Sequence, residues 1–203
     1  MRIVVYGGAG AIGSRIVAEG LARDHDVTVI TRSSATVADG VVARIGDAED
    51  GDDVAKVAAE HDVVVSAIGP SRTGVRVERF HNAMRTLAAN VGSRRLIVVG
   101  GAGSLLVAPG LRLLDTVGFS AAARHEALAQ AAALDQLRRG GGFVDWVYLS
   151  PAPLTAPGQR TGSYRTGSDA VLGDYISMED FAVAVVDEIE RPRHRRERFT
   201  VSS

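Results

Sequence analysis

The chain has 203 residues, of which 46% are hydrophobic and 23% are charged, and this composition suits a single globular domain with a real core. The formal net charge of -1 gives no overall field that would recruit nucleic acid or a membrane surface. The absence of cysteine excludes disulfides, thiolate catalysis and cysteine-based metal sites. Without a transmembrane-length apolar run or a signal-peptide pattern, we expect a cytoplasmic protein.

Short apolar runs alternate with segments of helical period as far as Ser150. Strands are predicted at residues 2–6, 26–31, 40–45, 62–69, 94–101 and 143–150. Helices are predicted between them, over 12–21, 52–60, 77–91 and 127–137. Strand–helix alternation of this kind builds a parallel sheet covered on both faces, so we predict a doubly wound α/β Rossmann fold.

The pattern loosens after Ser150, where Pro, Gly, Ser and Thr predict loops with one short strand. A last helix is predicted to start at Ser177, because Asp180 follows three residues later in a capping-box-like pattern. Residues 198–202 have the pattern of a closing strand. We interpret residues 1–203 as one domain, in which 151–203 form a small substrate-side extension.

The segment "VVYGGAGAIG" places three glycines between the first strand and the first helix. Glycine lets the chain turn sharply, lets the backbone approach a pyrophosphate, and lets the helix pack closely on the strand. The alternative is a tight turn without a ligand. The predicted pyrophosphate-binding residues are Gly7, Ala9, Gly10, Ala11, Ile12 and Gly13.

The end of the second strand predicts which dinucleotide is bound. An NAD site usually has Asp or Glu there, about 20 residues past the glycine motif, to bind the ribose 2′-hydroxyl. This chain instead has Thr31, Arg32 and Ser33, and a guanidinium beside hydroxyls suits a 2′-phosphate. We therefore predict NADP(H) over NAD(H), the alternative being that Arg32 is only a solvated loop residue.

The loops after the third and fourth strands are expected to complete the cofactor site. Asp47 is placed to accept the adenine amino group, although an N-cap of the next helix is an equal interpretation. Small residues after the fourth strand permit close approach to the cofactor, and Arg72 could reach a phosphate or an acidic substrate. The residues predicted in these loops are Asp47, Ala48, Ala67, Ile68, Gly69 and Arg72.

A near copy of the first loop, "VVGGAGSL", follows the fifth strand. Leu106 stands where the third glycine would be and no clean helix start follows, so it is not a second pyrophosphate loop. We expect Gly100 and Gly101 to leave room for the nicotinamide and a flat substrate. Ser104 is the side chain in this loop able to hydrogen-bond a reacting group, unless it bonds only backbone.

The ordered set "GGAGAIG", "TRSS", "GDAED", "VVGGAGSL", "DWVYLSPA", "PGQRTGSYRTG" and "EDFAVAVVDEIE" resembles the atypical short-chain dehydrogenase/reductase family. More narrowly, it is similar to bacterial NAD(P)H-binding proteins provisionally described as NADH-flavin reductases. The flavin reductase/biliverdin-IXβ reductase group and NmrA-like proteins are more distant relatives. The resemblance implies an NADP-binding Rossmann domain with a small C-terminal substrate lobe. It also implies that the nicotinamide is flanked by the second glycine loop and by Pro151, Ala152, Pro153 and Leu154.

One departure from that family narrows the chemistry. Its ketone reductases and sugar epimerases commonly use Tyr-x-x-x-Lys as proton donor and pKa tuner. No tyrosine of this chain has lysine four residues later, and Lys56, in a predicted helix, is the only lysine. An epimerase or alcohol dehydrogenase of that mechanism is therefore disfavoured.

The chemistry that remains is direct hydride transfer from NADPH to a flat conjugated acceptor such as free flavin, with the proton taken from water. Ser104 could orient either ring, and Arg124 or Arg72 could steady negative charge on the reduced acceptor. The alternatives are a non-catalytic NADP(H) sensor of NmrA type and a quinone reductase. We expect no metal site and no nucleic-acid or membrane partner, and either a monomer or a homodimer.

Overall fold

The computed structural model describes residues 1–33, 38–70, 77–140 and 143–203. The helices are α1 (Ala11–Ala22), α2 (Gly51–Glu60), α3 (Val77–Asn90), α4 (Ala121–Gly140) and α5 (Met178–Glu190), with a short 3-10 helix at Leu113–Asp115. The strands are β1 (Arg2–Tyr6), β2 (Asp26–Thr31), β3 (Val42–Ile45), β4 (Val63–Ser66), β5 (Arg95–Val99), β6 (Leu106–Ala108), β7 (Leu111–Arg112), β8 (Trp146–Pro151), β9 (Leu154–Ala156), β10 (Arg165–Gly167), β11 (Tyr175–Ser177) and β12 (Glu197–Ser202).

The main sheet has the strand order β10-β12-β8-β5-β4-β1-β2-β3. Every neighbouring pair in it is parallel except β10 and β12, which run antiparallel. The chain starts in β1 near the middle and winds outward in both directions. The predicted doubly wound Rossmann fold is therefore confirmed.

Both faces of the sheet are covered, which explains why its strands are apolar runs rather than alternating patterns. In β1, Val4 and Tyr6 join the apolar cluster under α2, α3 and α4, whereas Ile3 and Val5 join the cluster under α1 and α5. Within the described ranges, no helix combines the length and the apolar character that crossing a bilayer requires.

The end of the chain carries more strand structure than the sequence predicted. The loops after Ser150 contain β9, β10 and β11 instead of one short strand; β9 pairs with β11 and β10 joins the main sheet. Each has three residues, too few to show an alternating pattern. The Ser177 hydroxyl accepts a hydrogen bond from the Asp180 N–H at 2.9 Å, which confirms the predicted start of α5.

Helix α4 begins at Ala121, several residues before the first predicted residue, Ala127. Its first turns are mostly exposed, so they lack an apolar stripe that the sequence could reveal. Alanine is nevertheless the strongest helix former, and residues 121–123 are all alanine. Propensity rather than burial accounts for the longer helix.

Candidate functional site

A cleft of about 610 Å³ opens at the carboxyl ends of β1, β2 and β4, where ligands of doubly wound sheets bind. The strand register places Tyr6 level with Ser66 and Val98, so β1, β4 and β5 end at one edge of the sheet. Tyr148 and Arg198 are level with these residues but lie within β8 and near the start of β12. The predicted residues that line the cleft are Gly7, Ala9, Gly10, Thr31, Arg32, Ser33, Asp47, Ala48, Ala67, Ile68 and Gly69. Arg72 lies outside the described residues.

The first glycine loop forms the floor of the cleft. Gly7 has a φ of 81°, in the left-handed region, and a Cβ there would stand 2.6 Å from the Ala67 carbonyl oxygen. A Cβ at Gly13 would overlap the Gly7 carbonyl, so α1 packs directly on the turn. Ala11 and Ile12 form the first turn of α1, with Ile12 packed against the core.

The N-terminus of α1 is open to an anion. Gly10 is its N-cap, and among the described residues no side chain caps the helix. Its first turn also carries no acidic side chain. The free N–H groups and the positive end of the helix dipole therefore face the cleft, which is the arrangement that holds a diphosphate.

Two buried hydroxyls beside the cleft have no hydrogen-bond partner among the described residues: the Tyr6 phenol and Thr31 Oγ1. Burial, and next the charge of Asp53, raise the pKa of Tyr6 above its usual value, so its hydroxyl keeps its proton and can donate. A buried polar group without a partner is costly. Both hydroxyls fit a polar ligand such as adenosine, and with the glycine turn they suit a dinucleotide.

Arg32 and Ser33 are exposed at the end of β2, and the strand ends without the carboxylate that would bind a ribose 2′-hydroxyl. Across the cleft, Asp47 accepts hydrogen bonds from the Glu49 N–H at 3.0 Å and from Arg79 Nη2 at 3.2 Å. The N-cap of α2 is Asp50, so the alternative interpretation of Asp47 as that N-cap is wrong.

The sequence did not reveal Arg79, which lines the cleft from α3 and pairs with both Asp47 and Glu49. A polar residue early in a helix that follows a sheet strand was the available signal, since such helix starts lie at the ligand edge. The other lining residues that were missed are Tyr6, Ile30, Gly46, Glu49, Pro70, Phe80 and Ala83.

The second glycine loop packs against protein side chains, which gives its bare backbone a structural reason, and the expectation that Gly100 and Gly101 also leave room for a ligand stays a prediction. A Cβ at Gly100 would stand 2.6 Å from Tyr148 Cδ1 and closer still to other ring atoms. A Cβ at Gly103 would stand 2.6 Å from the Ala127 Cβ. Gly101 has an ordinary contact, 3.4 Å from Gln130 Cγ.

Ser104 lies at the far side of this loop and does not border the cleft. Its hydroxyl accepts a hydrogen bond from Arg198 Nη1 at 2.9 Å, so the alternative of a purely backbone contact is wrong. Arg198 also donates from Nε to Asp169 Oδ1 at 2.6 Å. Burial raises the pKa of Asp169, but the hydrogen bond and charge of Arg198 more than offset this and hold that pKa below its usual value.

The remaining predicted residues surround the end of β8 and the start of α4. Pro151 and Ala152 are buried at the end of β8, whereas Pro153 and Leu154 are exposed. Arg124 is exposed on α4, with its guanidinium carbon 5.8 Å from the centre of the Phe119 ring. Because β8 neighbours β5 and β5 neighbours β4, the first two of these residues lie along the same edge as the cleft.

Lys56 is exposed on α2, and no hydrogen bond joins it to a tyrosine among the described residues. The Tyr148 hydroxyl is buried, donates to Gln130 at 3.0 Å and accepts from the Gly101 N–H at 3.3 Å. The Tyr164 hydroxyl donates to Asp187 at 2.6 Å. These phenols are held by protein groups and are not available as proton donors to a substrate.

The chain matches known proteins along nearly its whole length. A family model for NAD(P)H-binding proteins matches residues 7–192. The uncharacterized protein YwnB of Bacillus subtilis (strain 168) is 39% identical over 217 residues, which cover 100% of this chain and 99% of YwnB. SP1627 of Streptococcus pneumoniae TIGR4, provisionally named an NADH-flavin reductase, is 30% identical with a TM-score of 0.90, over 100% of this chain and 99% of that one. A Bacteroides thetaiotaomicron protein provisionally named an epimerase is 33% identical with a TM-score of 0.86, over 99% and 96%.

Proposed function

Because the chain belongs to the NAD(P)H-binding family, within the atypical short-chain dehydrogenase/reductase superfamily, we propose that it is an NADPH-dependent reductase of flat conjugated acceptors such as free flavin. The observation that carries this proposal is the lack of a Tyr–Lys pair among the described residues, with the Tyr148 and Tyr164 hydroxyls bonded to protein groups. An acceptor that takes hydride and then a proton from water needs no such pair.

The preference for NADP(H) over NAD(H) rests on Arg32 and Ser33. Both are exposed at the end of β2, where a 2′-phosphate would lie, and a guanidinium with a hydroxyl matches its oxygens. The adenine would lie between this strand end and Asp47, whose carboxylate is oriented by Arg79. The unpartnered Tyr6 and Thr31 hydroxyls would then gain a polar neighbour.

The chain's own groups would position the reactants rather than react. The bound cofactor supplies a hydride from its nicotinamide ring. The open N-terminus of α1 holds the diphosphate, while the small side chains of Ala67 and Ala152 let flat rings lie close to the strand ends. Stacking two rings in contact at this edge supplies the alignment that hydride transfer needs.

Ser104 does not border the cleft, so it would act as a hydrogen-bond donor to a ring that extends past the cleft, either the acceptor or the nicotinamide with its amide. Arg198 occupies a lone pair of its oxygen, and the proton of the hydroxyl is not donated to any described residue. A neighbouring buried cation makes that hydroxyl a stronger donor. Arg124, on the exposed start of α4, would balance negative charge on the reduced acceptor.

The test is to follow loss of NADPH absorbance with FMN, riboflavin or menadione as acceptor, and to repeat each series with NADH. We expect saturable turnover with at least one flavin, and a lower kcat/KM with NADH than with NADPH. Turnover only with menadione would identify a quinone reductase instead. Tight NADPH binding without turnover on any acceptor would contradict the proposal and favour an NADP(H) sensor.

A further inference from the structure

A second cavity, of about 420 Å³, lies away from the cofactor cleft. It is bounded by the C-terminal half of α5, the segment before β12 and the residues around β10. It shares no lining residue with the cleft. Asp187 in its wall pairs with Arg23, the C-cap of α1, whereas the cleft faces the N-terminus of that helix. At about 1.5 Å per residue, the 12 residues of α1 separate the two sites by roughly 18 Å.

The carboxylates in this cavity already have ion-pair partners in the protein. Asp187 accepts from Arg23 Nη1 at 2.6 Å and from the Tyr164 hydroxyl at 2.6 Å. Glu188 accepts from Arg95 and, at 2.8 Å, from His194 Nδ1. Both carboxylates are thus paired within the protein, although Asp187 shares Arg23 with Glu19 and Glu190.

By contrast, two arginines at the mouth of the cavity have no direct ion-pair partner among the described residues. Arg191 and Arg193 line the cavity and are exposed. Their guanidinium groups form no hydrogen bond and no direct ion pair with any residue that the structure describes. Ser163 and Thr166 place hydroxyls on the facing wall. The charge of Arg191 helps to lower the pKa of Asp187, but neither guanidinium group is held in a direct ion pair with a described residue. The cavity thus presents two cations and two hydroxyls to a ligand, which favours an anion.

The inner wall also contains a flat ring, that of the partly exposed His194. The His194 and Phe199 rings stack with centroids 3.9 Å apart and planes 11° from parallel. Ala184 and Phe199 are buried at the base of the cavity. The volume of this cavity lies in the range of small-molecule sites, which begins at about 300 Å³. It is therefore much larger than an inorganic anion.

We infer that this cavity is a binding site for a small organic anion that carries a phosphate monoester beside a flat or apolar group. A phosphate carries nearly two charges and accepts several hydrogen bonds, so it uses both arginines, whereas a carboxylate carries one charge. The site is separate from the cofactor cleft and does not depend on the reductase activity.

Phenyl phosphate is the probe, with benzoate and inorganic phosphate as comparison arms, and binding to the full chain is measured by titration calorimetry. The variant is the double substitution Arg191→Ala and Arg193→Ala. Arg195→Ala is the matched control, because Arg195 lies in the same turn, is 69% exposed and does not line the cavity. We expect saturable phenyl phosphate binding that weakens about tenfold or more in the double variant and changes less than about twofold in the control.

Weaker binding of both comparison arms would support the full assignment, because benzoate lacks the second charge and phosphate lacks the ring. Benzoate binding as tight as phenyl phosphate would overturn the phosphate assignment. Absence of saturable phenyl phosphate binding would overturn the site itself. An equal loss of phenyl phosphate affinity in Arg195→Ala would mean that the binding reflects general surface charge and not this cavity. Competition between phenyl phosphate and NADPH would mean that the probe binds in the cofactor cleft instead.

Discussion

Replacing Gly100 by alanine tests whether the second glycine loop serves packing or a ligand. The new Cβ would stand 2.6 Å from Tyr148 Cδ1, well inside the ordinary carbon–carbon contact of about 3.5–4.0 Å. The Tyr148 ring is fully buried and its hydroxyl is held by Gln130. Neither partner can move without displacing the core, so we expect the free energy of unfolding to fall by about 3 kcal/mol, the upper end for overpacking.

For a chain of this length, such a loss lowers Tm by about 6–12 °C. The assay is thermal and urea unfolding followed by circular dichroism. Gly101→Ala is the matched control, because its Cβ would stand 3.4 Å from Gln130 Cγ, an ordinary van der Waals contact. We expect that variant to change Tm by only about a degree or two, since its unfolding free energy shifts by less than about 0.5 kcal/mol.

A double-mutant cycle with Tyr148→Leu completes the test. Leucine removes the ring atoms that the Gly100 methyl would overlap, so the two substitutions together should cost clearly less than their sum. Strict additivity, or a Gly100→Ala protein as stable as the parent but with weakened NADPH binding, would refute the packing explanation. The loop's bare backbone would then be required by the ligand.

The other predictions concern the cofactor, the loop serine, a helix cap and acid stability. Arg32→Ala should raise KM for NADPH about tenfold or more and leave KM for NADH within about twofold. An equal rise in both KM values would contradict the preference for NADP(H). Ser104→Ala should lower kcat with flavin without raising KM for NADPH, and unchanged turnover would remove Ser104 from the site. Ser177→Ala should lower the free energy of unfolding in urea by about 1 kcal/mol, because the Asp180 N–H loses its acceptor. Asp169 and Asp187 have pKa values below the usual range despite burial, since Arg198 binds the first and Tyr164 and Arg23 bind the second. Their contribution to stability is complete above the unfolded pKa of about 4 and is lost as the pH falls through the lower folded values, so urea midpoints measured from pH 7 downward should drop only below about pH 4.

The parts of the molecule that sequence alone predicted are those set by local requirements. The turn from β1 into α1 needs glycine at Gly7 and Gly13, and both stand within one short segment. The start of α5 depends on Ser177 and Asp180, three residues apart. The buried strands are continuous apolar runs because helices cover both faces, and such runs are visible without knowing their partners.

The parts that sequence could not predict depend on contacts between distant segments. The Ser104 hydroxyl meets Arg198 across 94 residues, through the pairing of β8 with β12. Arg79 meets Glu49 across 30 residues, through the packing of α2 against α3. In each case the sequence shows the type of the residue, but its hydrogen-bond partner is set by strand order and helix packing, which the sequence does not show.

The two Gly-Gly-Ala-Gly segments have the same four residues but different structural roles, because they pack against different groups. In the first, the Cβ position of Gly8 faces the Val29 side chain, but those of Gly7 and of Gly13, three residues past the segment, face backbone atoms. The turn is therefore packed against the strand ends while the N–H groups of α1 stay open to the cleft. In the second, Gly100 faces the Tyr148 ring and Gly103 faces Ala127, so the loop is compressed against side chains. A larger residue at Gly7 or Gly13 would therefore distort the phosphate turn, whereas one at Gly100 or Gly103 would disturb the packing of side chains. Distortion of the phosphate turn should be detected as weaker cofactor binding, whereas disturbed packing in the second loop should be detected as a lower free energy of unfolding.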